Sequence, residues 1–461
     1  MKKDDAHREG FWWLPEDPTT RCPGVLEFDE HNEPILRLFD KPLVPINADA
    51  DCGFPAILGE TPGGQRLTGL RGIRRTHSNT RADIVFDGLV EGLHLADGFN
   101  ERVDGLSVSF SSLEVWLGHD LFDVEWGDSK KIVATAMQPP ICSYRVRTWP
   151  GELRFVSGID EALGRNTGVE LRHHAFVELV PDTSQSVNWL IRQMLSVRNL
   201  LSVLIGYCVD VETISVAANQ GYECERSFGK LTRRLVASTE RKIETIQRMA
   251  VPFPKISDSF QECVDRWFDE DALTPVRNIL IGPSYGEIGL GEARFIGLTQ
   301  GAEAFHRAIM PGEYVEGEEW RTICPEIMKA VPSRLDSSHR ESLKNRLKYG
   351  NEYSLRKRLN DLMDYVGKSF SEHYFGNGKK FVNEVVHTRN SMTHLDPTST
   401  DPNDDTPIDV GIVDGLRILL WACVLTRLGI EQENVMVAFR NFRALSILRK
   451  KAKARQQSGK N

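Results

Sequence analysis

The sequence predicts an α+β fold in which a β-rich N-terminal domain is followed by an all-α C-terminal domain. Residues 10–150 contain short β-branched and aromatic runs separated by Gly, Pro, Asp and Asn, a pattern that is typical of strands and turns. After residue 257 the apolar residues recur with helical spacing over long segments. We therefore predict domains at 1–257 and 258–461, and the first of them is expected to divide again near residues 150–180.

In the N-terminal region the predicted strands are Val25–Phe28, Ile35–Phe39, Leu106–Phe110, Ile132–Ala136, Leu153–Val156 and His174–Leu179. Apolar spacing predicts a helix near Ser186–Leu204, and a second helical stretch is predicted within 219–256, before Pro252 and Pro254. The segment Gly63–Arg75 is predicted to be a basic loop that either contacts phosphate or forms a solvated hairpin. It is no phosphate-binding P-loop, because the closing Gly-Lys-Ser/Thr is missing.

The C-terminal region is predicted to consist of helices joined by polar loops. The predicted helices lie near 258–269, 292–310, 338–348, 353–367, 379–395, 408–428 and 433–452. The predicted loops are Gly282–Gly286 and the acidic stretch Thr398–Pro407.

Charge is distributed unevenly between the two regions. The chain has a formal net charge of −8. Residues 292–461 carry 26 Lys and Arg against 22 Asp and Glu, whereas residues 1–291 carry 31 against 43. The helical region is therefore the one suited to a polyanionic partner, although such asymmetry is also common between ordinary domains.

Cysteine usage and hydropathy indicate a cytoplasmic protein. The 8 cysteines form no Cys-x-x-Cys pair and none lies at zinc-finger spacing from a histidine, so we expect reduced thiols and no structural zinc. The N-terminus lacks the apolar core of a signal peptide, and the longest apolar run, Ile418–Leu425, is too short to span a bilayer. We expect no membrane contact, no metal and no other cofactor.

The segment His387–Pro397 is the most informative part of the chain. It ends a predicted helix in which apolar residues recur on one side, namely Phe381, Val382, Val385, Val386 and Met392. Uncharged polar residues and histidines recur on the other side, namely Asn383, His387, Asn390, Ser391 and His394. The helix is expected to stop near Asp396, because Pro397 disfavours a helical conformation in the residue before it.

Arg389 and His394 have the chemistry of a metal-free ribonuclease, since arginine binds phosphate and histidine transfers protons near neutral pH. At 100° per residue, however, the two side chains lie about 140° apart. Either the long arginine side chain wraps round the helix, or two copies of the helix share one site. Two structural alternatives also remain open: a partly buried Arg389 paired with a carboxylate, and a His394 favoured by the helix C-terminal dipole.

The region 258–450 resembles the HEPN superfamily, and specifically the Apea-like HEPN group. The resemblance is carried by Arg389-Asn390-x-x-x-His394, by Phe295–Arg307, which is similar to the first core helix of the group, and by Asn351–Leu359, which is similar to its basic middle segment. The N-terminal region resembles the domain that precedes HEPN in ApeA-type anti-phage proteins; the matching stretches are Gly10–Pro15, Pro23–Phe28 and Phe110-x-x-Leu113-x-x-Trp116.

This resemblance implies an endoribonuclease whose active site forms at a homodimer interface and which acts in abortive anti-phage defence. It assigns Arg389, Asn390 and His394 as the catalytic residues and Glu303 as a residue that supports them. His387, on the same polar side of the predicted helix, is a second candidate for such a supporting role. RNA is the expected substrate, and tRNA is a candidate because its loops expose unstacked bases. A phage-derived trigger is the expected activator, and the N-terminal domain is expected to sense or regulate.

Seven basic residues are predicted to follow the RNA backbone, and they are Arg340, Lys344, Arg346, Lys348, Arg356, Lys357 and Arg358. Acidic residues are interspersed among them, so a charged solvent-facing surface explains the pattern equally well. For the whole chain, the main alternative is a sensor or scaffold that binds nucleotide or RNA without cutting it. A metal-dependent nuclease or phosphatase is disfavoured, because the sequence has no Asp/His cluster at ligand spacing.

Overall fold

The structure is a computed structural model, and it divides into two compact units, Met1–Asp269 and Glu270–Asn461. It describes residues 7–30, 33–39, 43, 53–78, 80–126, 132–164, 168–219, 226–233, 235, 245–269, 273–281, 291–393, 409–442, 450 and 453. The first unit is rich in strands and the second is helical, so the predicted α+β class is confirmed.

The first unit is built on antiparallel strands. Their bounds are β1 Arg8–Leu14, β2 Asp17–Phe28, β3 Pro34–Phe39, β4 Phe54–Glu60, β5 Arg66–His77, β6 Arg81–Glu91, β7 Arg102–Val103, β8 Gly105–Phe110, β9 Phe122–Trp126, β10 Ile132–Ala136, β11 Cys142–Val146, β12 Gly151–Gly164, β13 Gly168–Pro181, β14 Gln185–Ser186, β15 Val211–Asn219 and β16 Arg226–Arg233. Three helices accompany them: α1 Leu113–Leu117, α2 Val187–Ile205 and α3 Phe260–Asp269.

Twelve of these strands form one sheet in the order β11-β12-β13-β8-β15-β16-β6-β3-β2-β1-β4-β5. An additional pairing between β5 and β6 closes the last six strands into a ring. Alternating side chains of the ring strands point inward and form its core, which includes Trp12, Leu26, Leu36, Ile84 and Phe86. The ring leaves β5 and β6 with a partner on both sides over most of their length, which removes two open sheet edges.

Two predictions for this unit are wrong. Most of the predicted loop Gly63–Arg75 belongs to β5, which pairs with β4 and β6 and buries Leu67 and Leu70. The helix predicted within 219–256 is replaced in part by β16, which pairs with β15 through Ala217↔Phe228 and its neighbours. Clustered arginine and lysine had suggested a helix, but the pairing partners of a strand are not visible in a local pattern.

The helix α3 belongs to the first unit rather than opening the second. Phe260 is fully buried and packs against Trp116, Tyr144, Phe155 and Phe253, with ring centroids 4.8–5.7 Å apart. The division between the units therefore lies at residues 269/270, twelve residues beyond the predicted position at 257/258. Helical periodicity placed α3 with the other helices, whereas aromatic packing places it on the sheet.

The second unit contains helices α4 Thr274–Ile281, α5 Gly291–Ile309, α6 Gly317–Ala330, α7 Ser337–Leu347, α8 Leu355–Tyr365, α9 Lys368–Phe375, α10 Gly378–Thr393, α11 Val410–Arg427 and α12 Gln432–Ala438. The centre is α11, which is buried on all sides and packs on α4, α5 and α8. In contrast, neither α6 nor α7 has a buried residue. The sequence had not predicted α6, in which Pro325 lies inside the helix.

No helix in the described part of the chain is long and apolar enough to cross a membrane.

The ring core leaves no room for a side chain at Gly69 of β5. A Cβ atom added there would lie 2.3 Å from Cζ of Phe86, a ring that is buried in the core. We expect Gly69→Ala to lower the free energy of unfolding by about 1–3 kcal/mol, as overpacking does. Gly63→Ala is the matched control, because its nearest neighbour, Thr61 Oγ1, is 3.9 Å away. Chemical denaturation followed by tryptophan fluorescence would measure both, and equal losses in both variants would contradict the packing argument.

Candidate active site

The helix α10 presents one apolar and one polar face, as its sequence predicts. Asn377 caps its first turn, since the Asn377 Oδ1 atom accepts a 3.1 Å hydrogen bond from the Lys380 backbone N–H. Phe381, Val382 and Val385 are fully buried and fix the helix against the bundle. The opposite face is therefore held toward solvent by the packing of the apolar one.

The polar face of α10 is open to solvent. Asn383, His387, Asn390 and Ser391 are exposed, whereas Arg389 is half-buried. The Arg389 Nη1 atom donates to Asn390 Oδ1 over 3.5 Å. The structure thus brings the first two predicted catalytic residues into contact at the C-terminal end of α10.

His394, the third predicted catalytic residue, lies outside the described residues, as do Asp396 and the loop Thr398–Pro407. The position of Arg389 on α10 nevertheless agrees with the helical projection. Successive residues are rotated by 100°, so Arg389 lies about 20° from Val382 and about 40° from Val385, on the side of the buried stripe. This explains why its side chain is half-buried while that of Asn390 is exposed.

The polar face of α10 also contacts α8. The Arg356 guanidinium donates to Oδ1 of Asn383, one of the exposed residues of that face. At the other end, a Cβ atom added at Gly378 would lie 3.9 Å from Cε of Met363. These two contacts show that α8 and α10 run antiparallel, so the residues just before α8 lie toward the end of α10 that carries Arg389. Arg356 was predicted to contact RNA, whereas its contact with Asn383 was not predicted.

A chain of buried polar groups lies between α5 and α8. His306 is fully buried, its Nε2 atom is 3.0 Å from Asp361 Oδ2, and its Nδ1 atom is 3.1 Å from Arg358 Nη1. Since a guanidinium only donates, Nδ1 must accept and Nε2–H must donate, which fixes His306 as the neutral tautomer. The remaining Arg358 donors reach the carbonyl oxygens of Tyr353 and Gly312 at 3.1 and 3.4 Å.

The placement of Arg358 corrects one prediction. Its side chain was assigned to a surface that follows RNA, but the residue is 1% exposed and its donors are bound inside the protein. Glu303, predicted to support the catalytic residues, is half-buried, and its charge opposes the lowering of the Arg358 pKa by burial. His387 is exposed, and its carbonyl oxygen accepts a 3.0 Å hydrogen bond from Ser391.

Apart from Arg356, which contacts Asn383, the other predicted RNA-contacting residues fall into two groups. Lys357 forms an ion pair with Asp361, and Arg340 donates to the carbonyl oxygens of Val331 and Pro332 at 3.2 Å, so both are engaged within the unit. The basic residues of α7 and its end are exposed, namely Lys344, Arg346 and Lys348. Of these, Lys344 is 3.8 Å from Glu341, a weak surface pair.

Burial determines the charge states in the cluster. Desolvation lowers the pKa of His306, and the nearby Arg358 lowers it further, although the hydrogen bond to Asp361 acts in the opposite direction. Burial also lowers the pKa of Arg358. For Asp361, burial by itself would raise the pKa, but Lys357 and His306 outweigh it and leave the pKa lowered. The cluster is therefore expected to hold a neutral histidine between an ionised carboxylate and a guanidinium.

Among the residues that the structure describes, no group of three or more His, Cys, Asp or Glu side chains is arranged to hold a metal ion.

The lowered pKa of His306 predicts a pH dependence. The unfolded chain takes up a proton near pH 6.5 and the folded one only at lower pH, so the stabilisation is present above 6.5 and is lost as the pH falls below it. The slope for one proton is at most about 1.4 kcal/mol per pH unit. Hydrogen exchange of α5 and α8 between pH 7.5 and 5.5, corrected for intrinsic rates, would measure it.

His306→Gln should flatten this dependence, whereas the exposed His339→Gln should leave it unchanged. An unaltered slope in His306→Gln would show that protonation of His306 does not drive the opening.

Comparison with family models covers most of the chain. Residues 7–267 match the model described as ApeA N-terminal domain 1, and residues 296–434 match the model described as Apea-like HEPN. No curated protein and no solved structure gives a significant match. The HEPN match contains α8, α10 and the Arg389–Asn390 pair, and the N-terminal match alone spans more than half of the chain. The protein therefore belongs to the ApeA family of HEPN proteins.

Proposed function

We propose that the protein is a metal-independent endoribonuclease of the HEPN type that acts in abortive anti-phage defence. Membership of the ApeA family supports a HEPN nuclease role in defence in general. The observation that carries the finer proposal is the Arg389–Asn390 pair on the exposed end of α10, with His394 following at the motif spacing in the sequence. The proposed compartment is the cytoplasm, where the RNA substrate is found.

RNA supplies its own nucleophile, the 2′-hydroxyl next to the scissile phosphate. In the proposed mechanism His394 acts as general base or acid, which contributes about 10²–10⁴-fold. Arg389 binds the phosphate and stabilises the charge of the pentacoordinate transition state, an effect that strengthens where water is excluded. Asn390 orients His394 or binds the 2′-hydroxyl. The products carry a 2′,3′-cyclic phosphate or 3′-phosphate and a 5′-hydroxyl.

The site is proposed to form between two protomers. Arg389 lies on the side of α10 that continues the buried stripe, about 140° in projection from the position of His394, so one helix does not aim both at the same phosphate. Two antiparallel copies of α10 related by a two-fold axis would place Arg389 of one protomer beside His394 of the other. The two-fold axis would generate two such pairs, so the dimer would contain two histidines, one in each pair.

The proposed RNA contacts outside the site are those basic residues that the structure leaves exposed. Lys344, Arg346 and Lys348 have exposed side chains, and the exposed Arg356 of α8 donates to Asn383 on the polar face of α10. Contacts of this kind hold the phosphate backbone and weaken with salt, but they carry no sequence information. We propose tRNA as the substrate because its loops expose unstacked bases, and a phage-derived trigger acting through the first unit.

Incubation of the purified protein with bulk cellular RNA in EDTA tests the reaction type. We expect discrete fragments with 5′-hydroxyl ends from the wild type and none from His394→Ala, because the reaction needs a proton carrier and no metal. DNA, which lacks the 2′-hydroxyl, should stay intact. Loss of cleavage in EDTA together with full activity of His394→Ala would contradict the mechanism. RNA left intact by both proteins, even with lysate of infected cells, would favour the non-catalytic alternative.

Mixing two inactive variants tests whether the site is shared. In a mixture of Arg389→Ala and His394→Ala, a heterodimer keeps one site with both wild-type residues if each site pairs the arginine of one protomer with the histidine of the other. Random association then restores up to about a quarter of wild-type activity. If both residues come from one chain, no site is intact and the mixture stays as inactive as its parents. A double variant with both substitutions in the same polypeptide, mixed with wild type, controls for protomer exchange.

A further inference from the structure

An arginine in the first unit has a backbone conformation that arginines rarely adopt. Arg71 lies in the middle of β5 with φ of 48°, in the left-handed region. Among the described residues the only other non-glycine with positive φ is Ser112, which precedes α1 at a turn. The neighbouring strand contributes Pro55 opposite Arg71, and glycine would fit this position without strain. An arginine in this strained conformation points to a use for its side chain.

The Arg71 side chain meets a second arginine over one aromatic ring. The guanidinium carbon of Arg71 is 5.3 Å from the centre of the Phe99 ring, and that of Arg233 is 5.1 Å from the same centre. Arg71 comes from β5 and Arg233 from β16, the two strands that flank β6 near Gly88. Two positive groups therefore converge on one ring from separate strands, and we refer to them as the Arg71–Arg233 pair.

The charge of the Arg71–Arg233 pair is only partly balanced. Asp87 Oδ2 lies 3.1 Å from Arg71 Nη1. Arg233 has no ion pair within 4.0 Å and no hydrogen-bond acceptor among the described residues, although its side chain is half-buried. Its pKa is lowered by burial, while Asp87 raises it and Arg71 lowers it. One carboxylate thus faces two guanidiniums, and most of the donors of Arg233 have no protein partner in the described part of the chain.

The aromatic side chain of Phe99, on which both guanidiniums lie, is fixed in place. Phe99 is 6% exposed and belongs to a short turn, Gly98–Asn100, packed on β4. Gly98 has φ of 59°, and a Cβ atom added there would lie 2.2 Å from the Pro55 carbonyl oxygen. The backbone of this turn therefore packs closely against β4. The Phe99 ring on which both guanidiniums lie is therefore held in place before any ligand arrives.

We propose that the Arg71–Arg233 pair binds the phosphate group of a small phosphorylated molecule. A guanidinium is a planar fork that matches the oxygens of phosphate in two parallel hydrogen bonds, and two forks suit an anion with several acceptor oxygens. Binding would neutralise the charge that Asp87 leaves unbalanced. It would also explain why strain at residue 71 is retained. This inference is independent of the proposed RNA cleavage, since it concerns only the first unit.

Thermal unfolding of the full-length protein in increasing inorganic phosphate, at ionic strength matched with sodium chloride, tests the proposal. We expect a saturable rise in the unfolding temperature of the wild type. Arg71→Gly and Arg233→Gln should each weaken the apparent phosphate affinity at least tenfold. Arg81→Gln, on β6 and paired with Asp83, is the control and should respond as the wild type does. Phosphate also stabilises folded proteins in general, and this effect is removed by comparing the response of the wild type with that of the variants.

Arg71→Gly gives a second readout that separates a ligand site from a structural contact. Without phosphate it should unfold at a higher temperature than the wild type, because glycine relieves the left-handed backbone. A lower unfolding temperature with an unchanged phosphate response would overturn the proposal and make the pair a structural cation–π contact. Repeating the titration with ATP distinguishes a nucleotide from free phosphate. If only an RNA oligonucleotide loses affinity in both variants, the small-molecule assignment is wrong.

Discussion

The candidate site depends on the hydrogen bonds made by the buried guanidinium of Arg358. Removing a charged group from water is costly, and the cost is offset only if its donors are bound. Arg358 reaches His306 on α5, the carbonyl oxygens of Gly312 and Tyr353, and lies 3.8 Å from Glu352. These contacts join α5, α8 and both ends of the segment that carries α6 and α7. Because α8 in turn packs along α10, the cluster fixes the helix that bears Arg389.

The same arrangement explains why the segment between α5 and α8 can be long and almost unpacked. Neither α6 nor α7 contributes a buried residue, yet Tyr353 N–H donates to Gly312 O and the Asn351 side chain bonds both backbone groups of Val315. The two ends of the segment are thus hydrogen-bonded to each other, and α6 and α7 between them keep their charged side chains in water. A surface of this kind suits a polar partner, which is why the exposed basic residues of α7 remain candidates for RNA contact.

In the first unit the corresponding constraint is the pairing of β5 with β6, which closes six strands around Trp12 and Phe86. Closure of the strands requires small residues where the backbone approaches a buried aromatic side chain. Gly59 lies against the side chain of Trp12, and Gly69 lies against that of Phe86. It also brings Arg71 of β5 and Arg233 of β16 to neighbouring positions across β6, although they are far apart in the sequence.

The sequence by itself determined the α+β class, the amphipathic helix α10 and the polar residues of its exposed face, because these follow from local periodicity and from 100° per residue. It did not determine that α3 packs on the sheet, that residues 66–77 form a strand, or that Arg358 is buried. Those outcomes depend on partners distant in the chain, such as Trp116 for α3, Gly88 and its neighbours for β5, and His306 for Arg358. A local pattern reports which face of an element is apolar, and only the tertiary structure decides which distant groups cover that face or satisfy a buried charge.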